Sequence, residues 1–433
     1  MKKHLFISFI ILVSFSIKAQ TTIPVNVYGS NNLSISQTTL TKTATGNSNI
    51  SIGDSSLTAL TSGTINTVIG LNSLKSNTIG SQNAGLGAYS LQANTIGSQN
   101  AALGAYSLQA NTTGSQNSAI GVYSLQANTI GTGNAAVGFY SLGGNTTGNY
   151  NSALGEYSLQ TNTTGSQNAA FGTYSLQTNT TGNDNTAIGT STLEANTIGI
   201  GNTAVGVYSL QANTTGSGNA ALGIWTLQSN TTGIQNTSVG QSALFWNSTG
   251  SGNVGIGFGA GSSGPGEFQG NTLVGYETGY NGSTPYSYNT ILGYKAGYNL
   301  VGNSNVMLGY YAGSYEMNSN TFYLDNQDRG NSTNDKTNAL MYGNFAKLPT
   351  DQFLVINAKV GITGGLSIGT NAPDLTGALL TVNGKIHTKE VIIDLNAPLS
   401  DFVFDNKYDL MALDKVENYV KANFRLPNMP SAS

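Results

Sequence analysis

From Gly46 to Gly250, thirteen glycines fall 17 residues apart without an insertion or a deletion. A second glycine follows each by seven residues, from Gly53 to Gly257, and an asparagine follows each by three, from Asn49 to Asn253. A period this strict excludes an ordinary globular core, because every unit must bury its apolar face on a copy of itself. The stretch is therefore a solenoid, each repeat one coil stacked on the next. Taking the first glycine as position zero, residues 80–96 show the unit: Asn83 at three, small residues at four and five, Leu86 at six, Gly87 at seven, Tyr89 at nine and Leu91 at eleven.

Alternation along a short strand places positions four and six on one face and three and five on the other. Position six is aliphatic or aromatic throughout, from Ile52, Ile69 and Leu86 to Ile256. It reads as an apolar stack down the interior. Position five is mostly alanine (Ala102, Ala119, Ala136, Ala153), so the opposite face is also closely confined. Glycine at seven suits a corner with φ > 0, where a Cβ would clash. The Tyr-Ser-Leu-Gln stretch that follows lacks period-two patterning and reads as a single helical turn or a second strand, the turn being preferred. Identical asparagine amides one coil apart can bond along the stack, as in cross-β ladders. With one coil per strand spacing of about 4.8 Å, thirteen coils make a rod of roughly 60 Å. Two or three sizeable apolar residues per coil make a thin core, and a thin core commonly finds further burial in identical neighbours.

Charged residues form only 8% of the 433, against about 25% in an average soluble domain. Asn, Gln, Ser and Thr must wet the surface. No Lys or Arg lies between Lys75 and Lys295, so the array has no cations to set against phosphates and no nucleic-acid partner is expected. A net charge of -3 gives no steering. Cysteine is absent, which removes disulfides, thiolate metal sites, cysteine nucleophiles and lipidated cysteines. Acids in the array are scattered (Asp54, Asp184, Glu194), whereas calcium-binding coils need a carboxylate in every turn. No metal and no other cofactor is expected.

Residues 1–20 read as a secretory signal peptide: Lys2 and Lys3, an apolar run from Leu5 to Ile17, and Ala19 for cleavage. The apolar run is shorter than the roughly 20 residues a spanning helix needs. The mature protein is thus expected to be exported, at the cell surface, associated with the outer membrane or extracellular, with no transmembrane segment after signal cleavage. Residues 21–45 suit a leader strand or cap, and 46–261 are the regular array. Residues 262–314 hold three degenerate echoes (Asn271–Gly275, Asn289–Gly293, Asn305–Gly309) with longer, tyrosine-rich links. Residues 315–400 are more charged and β-rich, a shaft or neck with strand-like runs at Phe353–Ile356, Leu379–Val382 and Val391–Asp394. Within 401–433, Leu413, Val416, Tyr419 and Val420 fall at helical spacing. The expected class is all-β: a parallel β-solenoid with 17-residue coils, then a small mixed β/α region.

The motif Gly-x-x-Asn-x-Ala-aliphatic-Gly, repeated through 46–257, resembles the head repeat of trimeric autotransporter (YadA-like) adhesins. That resemblance implies a left-handed parallel β-roll working as a homotrimer, here with enlarged coils. The stretches Gly361–Gly369, Leu380–Ile386, Lys389–Val391, Asp401–Phe404 and Leu426–Ser431 resemble the shaft-to-tip region of exported fibre proteins of the Bacteroidetes group, related in style to phage tail fibres. In that family the last motif leads into a coiled coil, so this resemblance implies a protein continuing past Ser433. The likeness to autotransporters covers the head repeat and carries no secretion route.

No catalytic constellation stands out. A Ser-His-Asp triad would need His387, the one histidine after the leader, and no nucleophile elbow accompanies it. A β-solenoid carbohydrate-active enzyme would place acids and bases across several coils, and the array nearly lacks both. The protein is read as a non-enzyme. The candidate ligand-contact feature is an aromatic ladder at position nine: Tyr89, Tyr106, Tyr123, Tyr140, Tyr157, Tyr174 and Tyr208, with Trp225 in register. Exposed, such rings can pack on sugars of a glycan or cell-surface ligand; buried between coils or chains, they are core. Threonines at Thr112, Thr146, Thr163 and Thr180 raise an ice-binding alternative. The function expected is an exported, non-catalytic fibre or adhesin-like structural protein mediating attachment. The alternative is a phage-derived, tail-fibre-like receptor-binding component.

Overall fold

The structure, a computed structural model, describes residues 25–28, 31–35, 44–282, 284–363, 366–368, 380–382, 385–389, 409 and 411–427. The proposed signal segment, the run Val391–Asp394 and the motif Asp401–Phe404 lie outside the described residues. The chain divides into two units, Met1–Lys359 and Val360–Ser433.

The first unit is the solenoid. Strand β1 (Val25–Tyr28) folds back antiparallel on β2 (Asn32–Ile35). β2 pairs parallel with β3 (Ile50–Ile52), and twelve more three-residue strands, β4 (Thr67–Ile69) to β15 (Val254–Ile256), add one rung per repeat. The looser repeats carry β16 (Thr272–Val274), β17 (Thr290–Leu292) and β18 (Val306–Leu308), and the parallel run ends at β19 (Thr321–Leu324). Helix α1 (Ser332–Asn338) leads to β20 (Met341–Asn344) and β21 (Phe353–Ile356), which close the far edge as an antiparallel meander. All of these belong to one 21-stranded sheet. Parallel partners in the array are 17 apart, as in Ala102 with Ala119, so the period of the sequence is the register of the sheet. Leu33 of β2 pairs with Ile50 in that same register. The residues read as a leader or cap therefore supply a first rung as well as an edge-covering hairpin. In the second unit, β22 (Leu366–Ile368) pairs parallel with β23 (Leu380–Val382), and α2 (Leu413–Asn423) carries the helical pattern read from the sequence.

Glycine at position seven turns the corner as its residue type requires. Gly87 has φ +138°, and a Cβ there would sit 2.5 Å from the carbonyl oxygen of Gly104 in the next coil. The stretch after it is neither a helical turn nor a strand. Tyr89 and Leu91 both adopt left-handed φ, +61° and +52°, and their N–H groups donate to different neighbouring coils, to Leu71 O (2.8 Å) and Ser107 O (3.0 Å). The backbone thus zigzags and bonds along the stack in both directions.

The asparagines form two buried ladders. In the first, at position three, the backbone N–H and side-chain amide of Asn66 both donate to Asn49 Oδ1 at 2.9 Å, and its Nδ2 also reaches Gly80 O. In the second, at position fourteen, Asn94 Nδ2 donates to Asn77 Oδ1 and to Gly97 O, each at 2.9 Å.

The expected apolar stack at position six is not the interior. In nearly every rung the middle residue is buried and its two neighbours face outward, as at Ala101–Leu103 and Ala169–Phe171. The core consists of position five (Val68, Ala102, Ala119), Leu at eleven (Leu74, Leu91, Leu108), and buried Ser and Asn. The reason is width. Leu at eleven reaches across the coil to the back of the strand, and only a small side chain fits opposite it. Position six, free of that limit, carries larger aliphatics on the outside.

Candidate functional site

The outward sheet face is the most extended chemical feature of the solenoid. Leu103, Ile120, Leu154, Ile188 and Leu222 are exposed by 48, 42, 49, 42 and 52% and lie one or two rungs apart in a single file. Between them stand small residues at position four, such as Ala101, Ser118 and Ala135. The file continues through Leu292, also 52% exposed. Together with the small residues it forms a shallow apolar channel lined by Ala84, Leu86, Ala101, Leu103, Ser118 and Ile120. A monomeric soluble protein rarely shows a contiguous apolar patch beyond a few hundred Å². Sequence reasoning found these residues and placed them on the wrong side of the strand.

The tyrosine ladder runs along a corner next to the sheet. Tyr89, Tyr106, Tyr123, Tyr140, Tyr157 and Tyr174 stack in succession at centroid distances of 5.0, 5.1, 4.8, 6.2 and 5.6 Å, with planes within 29° of parallel. Their φ values are all positive, 53° to 61°, so a common backbone conformation projects each ring onto the last. Ring faces within the run lie against one another, and the rings present edges and hydroxyls outward. Glutamines at position twelve run beside them as an amide ladder: Gln109 Nε2 donates to Gln92 Oε1 and Gln126 Nε2 to Gln109 Oε1, each at 3.2 Å. One coil beyond Tyr174 the position holds Ser191, after which Tyr208 and Trp225 resume the register.

The threonines considered for ice binding have their hydroxyls committed along the stack. Thr112, Thr146, Thr163 and Thr180 each donate to a backbone oxygen of the following coil at 2.9–3.0 Å.

A second aromatic file escaped the sequence reading as a ladder because its spacing is irregular. Phe258, Tyr276, Tyr294 and Tyr310, at position eight of the looser coils, stack at 5.1, 5.1 and 5.4 Å. Beside them Lys295 Nζ sits 3.2 Å from Glu277 and 5.0–5.8 Å from the rings of Tyr298, Tyr294 and Tyr311. Its hydrogen bond to Glu277 holds the ammonium above its usual range. This cation is therefore neutralised locally.

At the far edge the polar residues turn inward. Glu316 and Asp335 are buried. Glu316 accepts from the Tyr323 hydroxyl and from the backbone N–H groups of Met317 and Asn318, with Lys336 Nζ 3.6 Å away. Asp335 accepts from the Tyr315 N–H at 3.0 Å, and burial pushes its carboxyl up to about 6. Arg329 clamps Asp325 with two bonds of 2.6 and 2.8 Å. This cluster has the character of an end closure: it fixes α1 and β19 over the last coil. Next to it, Phe322, Phe345, Pro349, Phe353 and Leu354 line an open groove of about 570 Å³. Among the described residues, no three His, Asp or Glu side chains converge as a metal site would need, and no helix is long and apolar enough to cross a membrane. No family model, curated protein or solved structure matches the chain.

Proposed function

We propose that this protein is a non-catalytic, exported fibre component in which copies of the solenoid, three in the reading taken from the YadA-like motif, bundle along their sheet faces and serve attachment to a surface. The observation that carries it is the file of exposed aliphatics at position six. A typical regular coil buries one small residue at position five and one leucine at position eleven, and leaves a larger apolar side chain partly exposed outside. Fully burying such a side chain is worth about 1.5–3 kcal/mol, and with about half of it already covered each coil has roughly 1 kcal/mol still to gain from a neighbour, a term that adds over many coils. A flat, uncharged, parallel sheet face of this kind fits a second copy of itself in the same axial register. Within the same unit, Phe353, Leu354, Val355 and Ile356 of β21 are exposed as well.

Light scattering on residues 21–433 at micromolar concentration tests the bundle, with three chains per particle expected. The variant Leu103→Asp/Ile120→Asp/Val137→Asp should fall apart into folded single chains, because those side chains leave the coil interior untouched. A stable wild-type monomer would overturn the reading.

A further inference from the structure

We infer that the coil spanning residues 182–198 carries a ring-binding slot for a pyranose unit of a glycan, formed by Tyr174, Ser191, Tyr208 and Glu194. The inference deepens the attachment reading and rests on it for the class of ligand.

The tyrosine stack is interrupted here by side chain alone. Ser191 keeps the ladder's backbone: its φ is +51°, beside +59° at Tyr174 and +57° at Tyr208. Its N–H donates to Thr173 O at 3.0 Å, as Tyr174 N–H donates to Glu156 O and Tyr208 N–H to Thr190 O, each at 3.1 Å. One ring is missing from an otherwise continuous register. Tyr174 and Tyr208 stand two rungs apart, about 9.6 Å along the stack. A ring held between two others at van der Waals separation needs about 7–8 Å. That rung spacing is enough for one saturated or planar ring between Tyr174 and Tyr208, and the coil between them supplies no ring of its own. Tyr174 is 37% exposed, whereas Ser191 is buried at 6% beneath the line of the rings.

The same coil breaks the amide ladder next to it. Position twelve, which is Gln in Gln160, Gln177, Gln211 and Gln228, is Glu194 here. Position twelve lies against the ring of its own coil: at Gly143 a Cβ would come 2.8 Å from Tyr140 Cδ1. Along the ladder each residue donates to the coil before it, as Gln177 Nε2 does to Gln160 Oε1 at 3.0 Å and Gln211 Nε2 to Glu194 Oε2 at 3.0 Å. Glu194 has no amide N–H to pass on to Gln177 as a glutamine would, so the donor chain is broken in this coil. A ligand that supplies hydroxyl donors on its rim and apolar C–H faces above and below satisfies all three walls: carboxylate and amide oxygens, and the two aromatic faces. A pyranose has that layout. The absence of cations nearby leaves no attraction for an acidic sugar, so a neutral one fits best.

The test uses the assembled mature chain (residues 21–433) carrying Trp246→Phe, so that Trp225, the next ring beyond Tyr208, is the sole tryptophan. Methyl pyranosides of neutral and 2-acetamido sugars are titrated while its fluorescence is followed, with calorimetry as a second readout. Saturable binding is expected. Ser191→Tyr, which completes the stack, and Glu194→Gln, which completes the amide ladder, should each weaken it at least tenfold while circular dichroism and particle mass stay unchanged. Both substitutions install the residue other coils already use, so loss of folding is not the anticipated route to loss of binding. Wild-type affinity in both variants overturns the slot and leaves attachment elsewhere on the fibre standing. Saturable binding of benzamidinium, a planar cation, with no pyranoside bound overturns the sugar assignment. Binding of no probe overturns the slot outright.

Discussion

Asn117 shows what one ladder side chain carries. Its Oδ1 accepts from the backbone N–H and side-chain amide of Asn134, at 3.0 and 3.2 Å, while its Nδ2 donates to Gly131 O at 2.9 Å and Asn100 Oδ1 at 3.1 Å. Asn117→Asp keeps the shape and replaces the donor by an oxygen that faces two acceptors in a dry interior. The expected cost is about 2–4 kcal/mol at neutral pH, read as a lower urea midpoint, with partial recovery in acid as the introduced carboxyl takes up a proton. Asp335 gives the native counterpart at the end closure. Burial raises its carboxyl from 3.8 to about 6, so between those values the folded chain holds a proton that the unfolded chain has released. Its contribution is therefore most favourable below about pH 4 and is lost as pH rises towards 6. Asp335→Asn keeps an oxygen for the Tyr315 N–H and removes the ionisation. Its gain in melting temperature over wild type should be larger at pH 7 than at pH 4.

Between rungs, the interior obeys a volume exchange that joins two positions. In the regular coils Leu stands at eleven and a small residue at five, as in Leu159 and Ala170. In the looser coils position eleven is Gly279, Gly297 or Gly313, and position five is Leu273, Ile291 or Met307. A Cβ on Gly297 would lie 2.9 Å from Ile291 Cδ1 and 3.2 Å from Met307 Sδ. Its backbone is no obstacle, because φ +57° there matches the +49° that Leu159 adopts at the same position. Gly297→Leu should therefore destabilise by overpacking, about 1–3 kcal/mol. Ile291→Ala should destabilise by leaving a cavity, about 2–5 kcal/mol. The double variant should lose less than the sum, and additive losses in urea unfolding would disprove the exchange.

That exchange was the clue the sequence held about facing. A three-residue strand has two ways to point, and hydrophobicity alone favours Leu86 or Leu103 inside. The recurrent pairing of a small residue at five, most often Ala, with Leu at eleven marks the narrow interior and decides the matter. The rungs, the corner glycines and the asparagine ladder were legible because they repeat at a fixed interval. Helix α1 was not, since its seven residues, Ser332–Asn338, have no apolar face, and its signal is local: Asn331 Oδ1 accepts from Asn334 N–H at 2.9 Å. Glu194 stood out in the sequence only as a scattered acid, and Ser191 not at all. The repeat puts both in one coil, and stacking sets that coil between Tyr174 and Tyr208.

At the scale of the solenoid, the contacts of each coil are with the one before and the one after, which makes stability nearly a sum of coil and interface terms. Residues 114–130 are one complete coil, from Gly114 to Ile130. Deleting them joins Thr113 to Gly131 and sets Asn100 beneath Asn134, Ala102 beneath Ala136 and Tyr106 beneath Tyr140. Every ladder closes again with the same partner types, and the outward file passes from Leu103 to Val137 without a gap. The shortened chain should fold, keep its circular dichroism per residue and assemble with the same number of copies, losing only the share of stability one coil supplies. Deleting residues 114–121 instead, about half a coil, sets Val122 after Thr113 and faults the register at that junction, where Leu125 comes opposite Asn100 and Asn128 opposite Leu103. Unfolding or aggregation is expected from that variant. If both deletions behaved alike in thermal melts and light scattering, the coil would not be the cooperative unit of this protein. If the 17-residue deletion is tolerated, solenoid length can vary in steps of about 4.8 Å without altering the face that bundles.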